Sequence, residues 1–270
     1  MGDWTLDPLQ LAPLVFVGVA YGVRARTLAR RGTPVPLWRI VLFSLGLLLL
    51  LAAIVSPVAQ LGEERFSFHM LQHILLGDLA PLALLAGLTG PLLRPVLALR
   101  PVHALRVLAH PLVALPFWIA NIVLWHLPFA YEAAIRHDLV HALEHLSFFT
   151  AGLVMWMPVL ETLPAPAWFG SAAKLGYIVV VRLVSTLIAN VFLWSGEIFY
   201  APYTDAGLSD QAAAGAILMV EGSLVTIAAF AWIFLRLFSE GERRQELLEQ
   251  GVDPRSVERA VRFGRADDLS

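Results

Sequence analysis

Cysteine is absent from the 270 residues, and lysine occurs once, at Lys174, against eighteen arginines. The first absence excludes disulfides, thiolate metal sites and a nucleophilic thiol, so any metal must be held by His, Met or carboxylate. The second excludes retinal chemistry, because Lys174 falls at the edge of an apolar segment and no span offers a Schiff-base amine. Charge is scarce as well. Only 15% of residues are charged and 58% are hydrophobic, the mean hydropathy is +0.72, and a soluble domain carries about 25% charged residues. The chain therefore reads as a membrane protein, with the lipid bilayer as its solvent and no nucleic acid expected as a partner. The opening "MGDWTLDPLQ" is acidic and lacks the basic n-region of a secretory signal, so the first apolar segment is expected to be a mature span.

A bilayer core is crossed by about 20 mainly apolar residues in a helix. Seven stretches meet this: 9–23, 38–58, 67–93, 112–128, 139–159, 175–194 and 211–236. The expected fold is an all-α polytopic bundle of seven transmembrane helices over residues 1–238, followed by a charged cytoplasmic tail at 239–270. Orientation follows from Lys and Arg in the short loops. One side collects sixteen of them, among them Arg24, Arg26, Arg30, Arg31, Arg39, Arg94, Arg100 and Arg106, whereas the other has only Arg65 and Arg136. That asymmetry predicts an N-out, C-in arrangement.

This topology gathers six of the eight histidines at the outer face. His69 and His73 begin the third span, His126 ends the fourth, and His137, His141 and His145 begin the fifth in "HDLVHALEHLSFF". His103 and His110 fall on the opposite side and read as interfacial residues. Helical positions four apart lie on one face, roughly 5 to 6 Å apart, so "HMLQH" can present two imidazoles to one ion, and His141 can pair with either neighbour. Three histidines spread over eight residues are too far apart for one ion, which leaves one of the three to a second ion or to capture at the rim. A single interfacial histidine is unremarkable. Two helices with HxxxH pairs at one depth, plus a third histidine beside them, predict a metal site, since polar groups are costly there.

Imidazole suits copper, zinc, iron and nickel, and thioethers favour Cu(I). Met70 lies beside His69 but off the His69/His73 face, and Met155 and Met157 lie deeper and read as packing. Copper and zinc both stay open on ligands alone. Glu63, Glu64, Glu132, Asp138, Glu144 and Glu197 are the nearby acids. Glu132 and Glu144 are candidate partners for the second nitrogen of a metal-bound histidine. A separate charged set, Asp78, Arg182 and Glu221, falls near the middle of three spans, where charge is paired or functional. The expectation is a clamp in which Arg182 bridges Asp78 and Glu221, with a passage for an ion or proton as the sharper alternative.

Other classes compete for the same residues. "HALEH" matches the inverted zincin order H-x-x-E-H, although a protease also needs a third ligand and room for a peptide. Bis-histidine haem and a di-iron oxygenase are further enzymatic alternatives. The non-enzymatic alternative is metal delivery, in which an open outer site accepts an ion from an external donor and passes it sideways to a membrane partner.

The blocks "FHMLQHILLGDLAPLALLAG" and "LWHLPFAYEAAIRHDLVHALEHLSFFTAGLVMWMPVL", with the seven-span layout, resemble the multi-spanning CtaG family of cytochrome c oxidase assembly factors associated with caa3-type oxidases. The likeness runs over nearly all of residues 10–238. It implies a non-enzymatic assembly factor of the bacterial cytoplasmic membrane that handles copper for a haem-copper oxidase and meets its subunits. The positions matching the family pattern are His69, Gln72, His73, Trp125, His126, Pro128, Tyr131, His137, His141, Glu144 and His145. The resemblance thus makes copper the expected metal, with zinc or haem behind it. The expected ligands are His69, His73, His126, His137, His141 and His145, with Met70, Glu132 and Glu144 as auxiliaries.

Overall fold

The structure, a computed structural model, describes residues 8–99, 106–163, 165–166, 168–254, 256–257 and 260. Arg100, His103 and the end of the charged tail lie outside the described residues. Among those described, the chain is helical with no strand. Ten helices follow in order: α1 Pro8–Arg30, α2 Leu37–Val55, α3 Pro57–Glu64, α4 Phe66–Ala86, α5 Gly90–Leu97, α6 Pro111–His126, α7 Pro128–Arg136, α8 Asp138–Leu160, α9 Ser171–Trp194 and α10 Gly207–Glu249.

Six of them (α1, α2, α4, α8, α9 and α10) are long and apolar enough to cross a membrane. A seventh crossing is supplied if α6 and α7 count as one span, bent by 71°. The bend has a local cause. Pro128 removes a backbone donor and pushes the preceding Leu127 out of helical geometry, to φ −73° and ψ 135°. The chain is thus an all-α polytopic membrane bundle, as the hydropathy predicts. Its last helix runs unbroken across residue 238 to Glu249, so the expected division there is no break in the backbone.

The spans meet in three packed regions. One joins α1, α2 and α4, where the Tyr21 and Phe43 rings stack at 3.8 Å. The second, around Trp118, Met155, Trp156 and Ile233, joins α4, α6, α8, α9 and α10 at the Arg-rich end. The third is aromatic, with Phe66, Met70, Tyr131, Phe192, Tyr200 and Tyr203, and it borders the histidines.

Two features seat α4 at the centre. Gly152 of α8 lies against the Gly77 carbonyl and Pro81 of α4, so closely that a Cβ would overlap both; small residues allow such backbone approach where lipid gives no hydrophobic drive. At the Arg-rich end the Arg39 guanidinium donates to the carbonyls of Ala86 (3.0 Å) and Leu88 (2.5 Å), and Tyr21 donates to Gly87 O at 3.1 Å. These side chains satisfy carbonyls that the end of a helix leaves without partners. At the same end Glu161, held at φ 53° just past α8, accepts from Lys174 at 2.7 Å and from Arg236 at 2.9 Å, tying α8 to α9 and α10.

Candidate metal centre

α4 and α8 face each other near their starts, and this contact builds the site. His69 and His73 lie one turn apart on α4 with ring centroids 4.2 Å apart, and His141 and His145 do the same on α8 at 4.1 Å. The two pairs meet, with 5.7 Å between the His69 and His141 rings and 5.9 Å between His73 and His145. His126, at the end of α6, closes a third side at 6.4 Å from His73. Its Nδ1 lies 2.7 Å from Ile122 O, and a carbonyl only accepts, so Nδ1 carries the proton and Nε2 is left as a donor atom for a metal.

Glu144 stands among these rings. It falls three residues after His141 and directly before His145, on the inner face of α8, and is wholly buried. Its Oε1 lies 3.5 Å from His73 Nε2 and its Oε2 lies 3.8 Å from His69 Nε2. Two donor sets share it, His69–His73–Glu144 and His141–Glu144–His145, each with ligand atoms within 4.8 Å of one another. Imidazole–zinc bonds of about 2.0–2.1 Å in a tetrahedral site place donor atoms about 3.4 Å apart, so the side chains of either set must draw closer to hold an ion.

The hydrogen-bond accounting points the same way. The Nε2 atoms of His69, His73, His126, His141 and His145, the Nδ1 of His73 and both oxygens of Glu144 are buried without a partner. An unsatisfied buried polar atom costs about 1–3 kcal/mol, and a whole domain is stable by only about 5–15 kcal/mol. A neutral His73 keeps a proton on one of its two nitrogens, which leaves seven of these atoms with lone pairs for a metal; so many in one spot fit bound cations, which accept lone pairs from nitrogen and oxygen together. Imidazole and carboxylate donors without sulfur suit a first-row transition ion.

The surroundings hold the ligands in place. Gln72 Nε2 donates to Ala53 O at 2.8 Å, Ser67 donates through its backbone N and hydroxyl to Asp210 at 3.2 and 2.5 Å, and Phe148 stacks on His73 at 4.2 Å. Trp125 Nε1 donates to Ser147 Oγ at 2.6 Å, which fixes α6 to α8. A tyrosine wall stands beside His69: the Tyr131 ring is 4.9 Å away, Tyr200 donates to His126 O at 2.9 Å and Tyr203 donates to Gly62 O at 2.7 Å.

Three residues expected at the site stand apart from it. His137 is exposed, in the extended joint between α7 and α8 with φ −137° and ψ 112°, so the four-residue spacing does not continue back to it. Met70 is buried on an adjacent face of α4 among the aromatic rings. Glu132 pairs with Arg136 at 2.6 Å. Glu144, expected as an auxiliary, is central, and its position on the His141/His145 face was the signal for it. Tyr200, Tyr203, Ser67 and Asp210 were not singled out in advance, because loop tyrosines and cross-helix pairs leave no periodic trace. His110 accepts from Leu112 N at 3.3 Å as the N-cap of α6.

The intramembrane set requires a correction. Arg182 does not bridge the two acids. Its guanidinium donates to Met219 O at 3.1 Å and Ser223 Oγ at 2.9 Å on α10, where Gly222 leaves room for it. Asp78 and Glu221 instead lie within hydrogen-bonding reach of each other.

Comparison with known proteins identifies the family. The sequence model of the cytochrome c oxidase caa3 assembly factors, Caa3_CtaG, matches residues 19–240. Uncharacterized proteins of Mycobacterium bovis and Mycobacterium tuberculosis are each 24% identical over 243 residues, covering 79% of this chain and 36% of theirs. One of Mycobacterium leprae is 22% identical over 199 residues, covering 66% of this chain and 29% of its own. The chain thus spans about a third of the length of the curated relatives it matches. No solved structure matches. The chain belongs to the cytochrome c oxidase caa3 assembly factor family.

Proposed function

From that membership, we propose that this chain binds copper at the outer face of a bacterial cytoplasmic membrane and passes it to a haem-copper oxidase during assembly. The ligands on this reading are His69, His73, His126, His141, His145 and Glu144, and copper is cargo rather than a resident cofactor. The observation that carries it is the cluster of eight buried, partnerless nitrogen and oxygen atoms from these six residues. Family membership supports oxidase assembly as the purpose, and the excess of Lys and Arg at the opposite end supports an outward-facing histidine end.

Delivery fits the site better than turnover. Glu144 is buried between the histidine pairs, so it serves as a shared ligand and not as a base with an open approach. His69, His73 and Glu144 are enclosed by packed helices while His141 and His145 are half-buried, so an ion held at depth has a partly open side by which to be passed on. A copper donor outside the membrane and an oxidase subunit within it are the partners this reading calls for.

Deletion of the gene tests the reading. The expected result is loss of oxidase activity, partly restored by excess copper and fully restored by the parent gene but not by one carrying Glu144→Ala. An oxidase that matures normally in the deletion strain contradicts it.

A further inference from the structure

Away from the histidines, α4 departs from regular geometry. Its backbone makes a π-helical turn at Leu75–Leu79, a rare local feature often found at functional sites, and Asp78 lies within it. The Asp78 carboxyl lies within hydrogen-bonding reach of the Glu221 carboxyl of α10, and the Trp156 indole of α8 donates to Asp78 Oδ1 at 2.7 Å. An ionised carboxylate only accepts hydrogen bonds. A carboxyl–carboxyl bond therefore exists only when one partner carries a proton. At this depth two ionised carboxylates in contact would add like-charge repulsion to the cost of removing each from water.

The groups around the pair agree. The charged side chain facing it is Arg182 of α9, whose nearer bonds go to Met219 O and Ser223 Oγ. One guanidinium opposite two carboxyls balances a single negative charge, which is what one shared proton leaves. Trp156 from α8 is neutral. Glu221 Oε1 and Arg182 Nη1 have no hydrogen-bond partner, and both acids are half-buried, not sealed.

Trp156 joins the pair to a cavity. A cavity of about 720 Å³ lies toward the Arg-rich end, its lining including Arg39, Thr89, Trp156, Glu161, Leu224 and Trp232. Trp156 lines this cavity with one part of its side chain and holds Asp78 with its N–H, while Leu224 lies one turn from Glu221.

We infer that Asp78 and Glu221 form an intramembrane proton-binding site, one hydrogen ion shared between the two carboxyls and exchanging with the Arg-rich face through the cavity that ends at Trp156. The pair shares no side chain with the histidine cluster, and its test requires no copper.

Infrared spectroscopy of the full chain in detergent reads the proton directly. At neutral pH the parent shows a protonated-carboxyl C=O band that shifts on transfer to D2O; Asp78→Asn and Glu221→Gln each abolish it. Trp156→Phe, which removes only the indole bond, moves the band without abolishing it, and Ala228→Trp, which fills the cavity, slows the isotope shift several-fold. Absence of the band in the parent overturns the inference, as does a band that survives both carboxyl substitutions or one that ignores D2O. If the carboxyl variants do not fold, the parent isotope shift and the Trp156→Phe displacement decide it alone.

Discussion

Glu144 Oε1 of α8 lies 3.5 Å from His73 Nε2 of α4, and neither atom has a hydrogen-bond partner although both are buried. The gap is too wide for a good hydrogen bond, and its flanks are lined by four more imidazoles. A cation at either donor set would satisfy Glu144 and the two histidines of that set, so the α4–α8 contact is both the centre of the bundle and the candidate metal centre.

Glu144 is shared by both donor sets, so its charge matters to each. Glu144→Gln keeps the shape and one acceptor oxygen but removes the carboxylate. Copper affinity is expected to fall at least about tenfold, the lower end of the range seen even for residues that only orient ligands. Titration of detergent-purified protein with a competing Cu(I) chelator measures it. Because a ligand that binds only the folded state raises stability, copper should also raise the melting temperature of the parent more than that of the variant.

His137 and Met70 were expected at the site, and the structure places both elsewhere. His137→Ala is expected to leave copper binding and stability unchanged. Met70→Leu conserves volume in a packed region and should cost under about 1.5 kcal/mol, with copper retained. Loss of copper in either variant would show that the ligand set extends beyond the buried cluster.

Gly152 allows the backbones of α4 and α8 to touch at Gly77. Gly152→Ala puts a methyl group where the Gly77 carbonyl lies, forcing the helices apart at an expected cost of about 1–3 kcal/mol, as for other overpacked interiors. Thermal unfolding should show the loss, and copper affinity should fall with it because the two histidine pairs are carried by these same helices. Retained stability with normal copper binding would refute this account of the contact.

Glu161 gives a pH dependence at the other end. Burial opposes its charge, but Lys174 and then Arg236 outweigh burial and hold its carboxyl below the usual carboxylate value. A group whose folded value is depressed contributes stability above its unfolded value and loses it as pH falls through the folded one. The parent should therefore lose melting temperature on acidification through and below the ordinary carboxylate range. Glu161→Gln should be less stable than the parent at neutral pH, because the buried Lys174 loses its ion-pair partner, and should lose less on acidification. Parallel pH profiles would contradict this.

The sequence made much of the site legible because helical geometry converts spacing into position. His69/His73 and His141/His145 each fall on one face, and the charge asymmetry puts their helix starts at the same end. His137 misled because its four-residue spacing assumes a helix that begins only at Asp138. Glu144 is legible as a residue of the His141/His145 face, but that both donor sets share it emerges only when α4 lies across α8. Asp78, Arg182 and Glu221 were legible as a buried charged set, but not their pairing, since the π-helical turn and the space over Gly222 rotate the groups away from the expected clamp. The bend between α6 and α7 follows from Pro128, but a shortened fourth span gave no angle.

The most direct test of the central claim is copper content per chain, by elemental analysis, after loading detergent-purified protein under reducing conditions, with the His73→Ala/His141→Ala double variant alongside. That variant removes one imidazole from each donor set. The account predicts copper in the parent, at no more than one ion per donor set, and almost none in the variant. Equal copper in both, or a parent that takes up none, would contradict it.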